Sequence, residues 1–305
     1  MPKVGILVLY YNDLQHINLL LKSLVDQTYN DFHVYLKDNY YGTNQFNIFI
    51  NHFSNITLLP VTENIGFAKG NNLLAEKAIK DGCDYVWVLN PDMEPENNAL
   101  EELVEFMEKT PEAGMSGPLL LIGDTKSHPL IQLFGSEANY RTQAKKALYA
   151  GRSLLDVNLP ESMETDLANA GSLFVRSEIV KNSYLFEEKY FMYNDEIDLA
   201  RRVKESGYKI YVISSAKVWH HHNWASTNKT GYNLMYYYMM RNRMLYFRKF
   251  SLISEMIMDL LKQVIKWPAT LRFAIKTSGL SLFCYYYLGL FHGLLNKQGK
   301  AEIDF

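Results

Sequence analysis

A chain of 305 residues with 48% hydrophobic and 21% charged residues can bury a large core, which excludes a disordered or low-complexity protein and leaves one large domain or a domain with an appendage. The net charge of −2 hides an asymmetry: residues 241–300 hold ten Lys/Arg against two acids, a net +8, so the rest of the chain carries −10. Two cysteines without zinc or redox spacing, Cys83 and Cys284, exclude a disulfide scaffold and read as reduced core residues of a cytoplasmic protein.

Met1–Lys3 runs straight into a strand-like segment, so no secretory signal is expected. Val4–Tyr10 is a continuous apolar run, the pattern of a strand covered on both faces. Leu14, Ile17, Leu21, Leu24 and Val25 follow at helical spacing, with Asn12 or Asp13 as the cap. Phe32, Val34 and Leu36 alternate into a second strand ending at Asp38-Asn39, and Ile56–Val61 reads as a third. Asn64–Lys80 is predicted as a helix opening with Gly66 and Gly70, and Tyr85–Leu89 as a strand that Asn90-Pro91-Asp92 stops. Residues 123–167 show no clear period and are expected to be an irregular excursion or a mobile loop. Ser172–Arg176 is a strand, Asp195–Ser206 a helix ended by Gly207, and Lys209–Ile213 a strand closing near His220. Beyond about Thr227, tyrosine, methionine and basic residues alternate with apolar stretches, predicting helices broken at Pro268 and Gly279.

Strands alternating with helices mean an α/β fold with a mostly parallel sheet. In such sheets ligands sit beyond the carboxyl ends of the strands. Tyr11-Asn12, Asp38-Asn39 and Asn90–Asp92 all fall at such ends. Polar caps explain each cluster singly, and all three together less well. Neither a G-x-G-x-x-G dinucleotide fingerprint nor a G-x-x-x-x-G-K-[ST] loop is present, which argues against dehydrogenase and ATPase readings.

The ordered set VGILVLYYND, VYLKDN, ENIGFAKGNN, LNPDM, GSLFVRSE, FMYNDEIDLARR and AKVWHHH resembles the family 2 inverting glycosyltransferases of GT-A fold, in their bacterial rhamnosyltransferase-like branch. The likeness covers about residues 3–226 and continues weakly through YYYMMRNR and GLFHGLLNKQGK. It implies a catalytic domain over 1–226, with a nucleotide-binding half to about 122 and an acceptor-binding half over 123–226, and a helical region over 227–305. It also implies a dTDP- or UDP-sugar donor, dTDP-L-rhamnose first. The implied acceptor is a glycan or lipid-linked oligosaccharide at the inner face of the cell membrane.

Residue by residue, the resemblance makes Asp92 the metal and diphosphate ligand. Asn90 stands where the family commonly has a first acidic residue, so the pattern departs from D-x-D. Oxygen ligands and phosphates suit Mg²⁺ or Mn²⁺. His220 is implied as a further metal contact favouring Mn²⁺, with His221 and His222 as competitors. Asp195-Glu196 stands where the family has its acidic pair, usually in the order Glu-Asp. Glu196 is implied as general base and Asp195 as its support, with the roles open to reversal; first-turn acid enrichment is the plain alternative. Asp38 is implied to read the nucleobase and Tyr11 to pack near it. Asn64, Gly66, Lys69 and Asn71 are placed beside ribose and diphosphate, where helix-terminal amides attract anions. Asp198, Arg201 and Arg202 look structural.

Trp267, Phe273, Phe283 and Tyr285–Tyr287 interleave with Lys262, Lys266, Arg272 and Lys276, as in helices lying on an anionic membrane surface; helix packing or a homo-oligomer contact accounts for the aromatics too. Nucleic acid is not expected as a partner. The rival classes are a sugar nucleotidyltransferase, whose glycine-rich loop is missing after the first strand, and a non-catalytic nucleotide-sugar-binding scaffold.

Overall fold

The computed structural model describes residues 1–40, 55–59, 63–123, 127–221 and 228–303. Val61 and His222 lie outside them. The strands are β1 (Val4–Tyr10), β2 (Phe32–Asp38), β3 (Ile56–Leu59), β4 (Tyr85–Leu89), β5 (Met93–Pro95), β6 (Ala113–Ile122), β7 (Leu130–Leu133), β8 (Ser136–Asn139), β9 (Ala144–Ala147), β10 (Ser162–Glu164), β11 (Ser172–Arg176) and β12 (Lys209–His220). The helices are α1 (Leu14–Val25), α2 (Phe67–Lys80), α3 (Ala99–Lys109), α4 (Ser177–Lys181), α5 (Asp195–Glu205), α6 (Lys229–Lys249), α7 (Ile253–Thr277) and α8 (Leu280–Leu294).

Among the described residues a ten-stranded sheet runs β10-β12-β6-β11-β4-β1-β2-β3, with β5 on β12 and β7 on β6. Strands β1 to β4, β6 and β12 point the same way, and β11 runs against them. The register Tyr10↔Asp38 brings the ends of β1 and β2 level. The carboxyl edge therefore gathers the ends of β1, β2, β4 and β12, where side chains can leave the sheet and converge.

Apolar residues cover both faces. Ile6 and Val8 of β1 pack with Leu20 and Leu24 of α1 and Leu100 and Leu103 of α3. Leu7 lies on the other face with Leu74 and Ala75 of α2, Ile197 of α5 and Met244 to Phe247 of α6. The helices after β12 are thus part of the domain core. Asp13 caps α1 by accepting from the His16 amide at 3.2 Å, as its position before the apolar period predicts.

Four expectations shift. Helix α2 begins at Phe67, because Asn64 to Gly66 are committed to the turn described below. Residues 127–167 are ordered into β7, the β8–β9 hairpin and β10 rather than forming a loose excursion. Their strands are short and edge-placed, and the Ala-Lys-Lys-Ala of β9 is exposed throughout, so no apolar alternation advertised them. Strand β12 continues past Ile213 to His220, with a register shift between Ile213 and Lys217 where Ser214 and Ser215 interrupt the apolar run. Helix α7 runs through Pro268 unbroken, and the break falls at Gly279, whose φ of 88° stops the next turn.

Helices α6 and α8 approach unusually closely. A methyl group at Gly289 would strike the Tyr237 carbonyl oxygen, and one at Gly293 would come within 2.6 Å of the Arg241 carbonyl oxygen. Gly289→Ala is expected to destabilise the fold by about 1–3 kcal/mol through overpacking against backbone that cannot yield; urea unfolding that leaves the midpoint unchanged would show that the helices do not touch there.

Candidate active site

The carboxyl ends of β1 and β2 are built around a polar knot. Asp38 is buried, and its Oδ1 accepts from the Tyr40 amide at 2.7 Å. Next to it, Asn39 Nδ2 donates to Asn64 Oδ1 at 3.1 Å and to the Gly66 carbonyl at 3.2 Å, while its Oδ1 accepts from the Ile65 amide at 3.3 Å. Asn64 Oδ1 also accepts from the Gly66 amide at 3.0 Å. Tyr11 is 56% exposed and meets the Tyr40 ring edge-on, with 5.4 Å between centroids. This leaves an open aromatic face beside Asp38. Asn71 is buried one turn into α2, and its Oδ1 has no hydrogen bond among the described residues. Lys69 is exposed on the same turn and stands outside the knot.

One expectation here is corrected. The first two amides of α2 do not wait for an anion: Phe67 and Ala68 donate to the Phe191 carbonyl at 2.7 and 3.2 Å. Gly66, with φ of 88°, permits that approach, since a Cβ there would lie 2.7 Å from the same oxygen. A segment more than a hundred residues downstream thereby meets the carboxyl edge of the sheet beside the knot.

That segment leads into the acidic pair. Phe191, Tyr193 and Asn194 all have positive φ, at 66°, 66° and 69°, a conformation that costs non-glycine residues of the order of 1–3 kcal/mol each. Two buried side chains of α6 hold it. Asn242 Nδ2 donates to the carbonyls of Tyr190, Met192 and Tyr193 at 2.7 to 3.0 Å. Arg241 donates to those of Tyr190 and Gly299 at 2.7 and 2.6 Å. From the other side Asn194 Nδ2 donates to Gln143 Oε1 at 2.8 Å.

The two carboxylates that follow lie in contrasting surroundings. Asp195 is buried with Oδ1 lacking a hydrogen bond among the described residues. Burial, then the charges of Glu196 and Asp198, push its carboxyl well above the usual range. Glu196 retains a 23% exposed side chain that pairs with Lys145 from β9. Desolvation works against its charge, but the Lys145 ammonium outweighs it and holds the carboxyl below the ordinary value. Asp198 is structural: it binds Tyr190, Arg202 and Lys249 deep beneath the helix. Arg201 pairs with Glu205 on the helix surface.

A second cluster lies at the ends of β4 and β12. The Asn90 amide donates to the Gly171 carbonyl at 2.9 Å, fixing the turn that presents Asp92. Asp92 Oδ2 is 3.2 Å from His220 Nε2, and His220 Nδ1 is 2.8 Å from Gln132 Oε1. Both ring nitrogens face oxygen acceptors, yet a neutral imidazole carries one N–H. With Gln132 turning its amide nitrogen to Nδ1, Nε2–H donates to the Asp92 carboxylate; with Nδ1–H on Gln132, Nε2 and Asp92 can share a positive centre instead. A divalent cation fits: two donors sharing one at about 2.1 Å in octahedral arrangement sit about 3 Å apart, and a hydrogen-bonded second nitrogen is the usual support of a metal-bound histidine. His221 turns aside to Glu94 at 2.6 Å. No group of three or more candidate ligands occurs among the described residues, so most of such an ion's coordination would have to come from elsewhere.

Sequence reasoning missed Asn39 as the hub of the knot, and Gln132, Gln143 and Lys145 in the stretch without period. Arg241 and Asn242 were within the quoted YYYMMRNR, where an Arg-Asn pair amid aromatics is the one available signal.

A mostly parallel sheet with polar loops at its carboxyl edge and an acidic pair opening a late helix is the architecture of the GT-A fold. Residues 5–150 match the glycosyl transferase family 2 model, so the chain carries a domain of that family. It is 27% identical over 225 residues to the N-acetylglucosaminyl-diphospho-decaprenol L-rhamnosyltransferase of Mycobacterium tuberculosis, covering 69% of this chain and 73% of that one. Among solved structures, GalNAc-T7 with UDP, GalNAc and Mn²⁺ superposes with a TM-score of 0.65 at 11% identity, covering 81% of this chain but only 48% of that one. S. aureus TarS 1–349 in complex with UDP-GlcNAc gives 0.57 at 14% identity, covering 97% of this chain and 81% of that one. Both share the fold, including, for the second, the region of the C-terminal helices.

The buried Asp195 makes a stability prediction. A carboxyl whose folded pKa is raised binds its proton more tightly in the fold, so stability is full below the unfolded value, near 3.9, and falls as pH rises toward the folded value. Asp195→Asn should therefore raise the melting temperature, with a gain that is small at pH 4 and larger at pH 7; a gain of equal size at both would contradict a burial-driven shift.

Proposed function

We propose that this glycosyltransferase moves a sugar, with inversion, from a nucleoside-diphosphate donor to a hydroxyl of a glycan or lipid-linked oligosaccharide, and that the sugar is L-rhamnose from dTDP-L-rhamnose. The observation that carries the transfer reading is Glu196: a partly exposed carboxylate held below its ordinary pKa by Lys145, in the first turn of the helix that follows the segment whose Phe191 carbonyl caps α2. The choice of rhamnose rests on the mycobacterial relative; a UDP-hexose is the competing donor.

In this reading residues 1–122 hold the donor, 123–226 the acceptor, and 227–305 brace the loop between them. Asp38 accepts from the imide N–H that thymine and uracil both offer, and Tyr11 covers the base. Asn64 and Gly66 shape the ribose side, with Asn71 Oδ1 as a nearby acceptor and Lys69 as a charge contact for the diphosphate. Asn90 sets the turn that lets Asp92 and His220 hold Mn²⁺ or Mg²⁺. When bound, the ion would neutralise charge developing on the departing diphosphate.

Glu196 takes the proton from the acceptor hydroxyl as that oxygen attacks the anomeric carbon. Asp195 suits this role poorly, being buried and biased toward its protonated form. It acts instead beneath the base, where burial disfavours its charge and leaves the proton-accepting role to Glu196. Lys145 keeps Glu196 ionised and must yield its place to the incoming hydroxyl.

Glu196→Gln is expected to lower transfer by about 10²–10⁴-fold while leaving donor binding intact by calorimetry. Asp92→Ala should instead remove the Mn²⁺-dependent part of nucleotide binding. Undiminished turnover in Glu196→Gln would sink the base assignment, and donor binding without turnover in the native protein would favour a scaffold. A donor screen across dTDP- and UDP-sugars decides the sugar. Lys145→Met removes the cation that depresses the Glu196 carboxyl, so the acid limb of the kcat/KM profile should move to higher pH; an unmoved limb would show that another group titrates.

A further inference from the structure

Helix α7 carries two unlike faces. Met256, Asp259 and Ala274 are its buried residues, and Gln263 bonds the hydroxyls of Tyr286 and Tyr287 from α8. On the opposite side Ile257, Leu261, Val264 and Ile265 recur at spacings of three and four, and each is more than half exposed, Ile265 by 77%. Met258 and Ile275 extend this stripe, each also more than half exposed. A helix facing only water would carry polar residues there, and a contiguous apolar patch of this kind marks an interaction surface.

The charge beside the stripe has one sign. Lys262, Lys266, Arg272 and Lys276 are exposed and make no ion pair among the described residues. The two acids of the helix are already neutralised, Glu255 by Arg141 and Asp259 by Arg243. Trp267, next to Lys266 in the chain, is half exposed. The expectation that Tyr285–Tyr287 face a membrane is corrected, since Tyr285 is buried and its neighbours bond inward to α7; the outward-facing apolar surface is on α7 instead.

We propose that α7 seats the protein on an anionic lipid bilayer, lying in the interface plane with its apolar stripe among the acyl chains and its four cations at the headgroup phosphates. No helix among the described residues is long and apolar enough to cross a membrane, so this helix lies on the surface. A second copy of the chain fits the face less well, because it would bring the same four cations against their own kind. If the proposed transfer function holds, the seating has a further use. The first turn of α7 holds the β8–β9 hairpin through Glu255 and Arg141, and that hairpin carries Lys145 to Glu196. The bilayer therefore adjoins the acceptor side, where a lipid-linked glycan would arrive.

The full chain is to be floated with vesicles of phosphatidylglycerol mixed into phosphatidylcholine, and with phosphatidylcholine alone. The protein should rise with the former only. The double variants Lys262→Glu/Lys266→Glu and Val264→Gln/Ile265→Gln should each cut the bound fraction about tenfold or more. Circular dichroism and nucleotide binding should stay unchanged, which keeps loss of docking distinct from loss of folding or of the donor site. No flotation of the native chain, or equal flotation of both variants, overturns the proposal. So does light scattering that shows a dimer dissolved by the Val264→Gln/Ile265→Gln variant, which would assign the face to a second copy.

Discussion

The Phe191 carbonyl group ties the segment that leads into the acidic pair to the start of α2. It accepts from the first two amides of α2, and the chain that carries it passes through three positive-φ residues before reaching Asp195 and Glu196. Left alone, that backbone would relax, because the aromatic residues Phe191 and Tyr193 gain nothing from positive φ, a region that Asn194 tolerates better. Arg241 and Asn242 supply donors to its carbonyls, and hydrogen bonds from a charged group contribute about 1.5–3 kcal/mol, enough to offset strain of that order. A buried guanidinium with carbonyls and tyrosine faces as its partners is costly elsewhere in a protein; here the desolvation is met by dipoles that must themselves be satisfied. The helices after β12 therefore shape the loop that bears the acidic pair.

Charge in the site is arranged by contrast. Asp195 and Glu196 are neighbours in the chain, yet helix geometry sends one into the core and the other toward Lys145. Two adjacent carboxylates could not both remain ionised cheaply in such surroundings, and environments that drive them apart assign them different work. At the other cluster Asp92 and His220 face each other with the imidazole already engaged by Gln132. In the proposed reading that pair would hold a cation, with most of its coordination supplied by oxygens from outside the protein.

Much of this was legible in the residues. The β1, β4 and β11 boundaries and the helix at Asp195 follow from apolar period and capping, signals that depend on local sequence alone. The clustering of Asp38 and Asp92 at strand ends follows from the parallel topology. Legibility failed where position depends on distant partners. Asn64 to Gly66 look helical until Asn39 and Phe191 claim their polar groups. The inward residues of the β8–β9 hairpin, Ser136 and Ala138, are small or polar and give no apolar period, so Gln143 and Lys145 could not be seen to approach α5. In the C-terminal helices, composition revealed an aromatic and basic character but could not tell inward tyrosines from outward isoleucines, since α6 and α8 decide which face is covered.

The central claim is that the Asp92–His220 pair and the Glu196 carboxylate open onto one bound sugar. A crystal structure of the protein with Mn²⁺ and a non-transferable dTDP- or UDP-sugar tests it most directly. The account predicts the ion between Asp92 and His220, the diphosphate on its open side, and the anomeric carbon lying between that diphosphate and Glu196. A sugar ring turned away from Glu196, or a nucleotide seated in a cavity that Glu196 does not line, would contradict it.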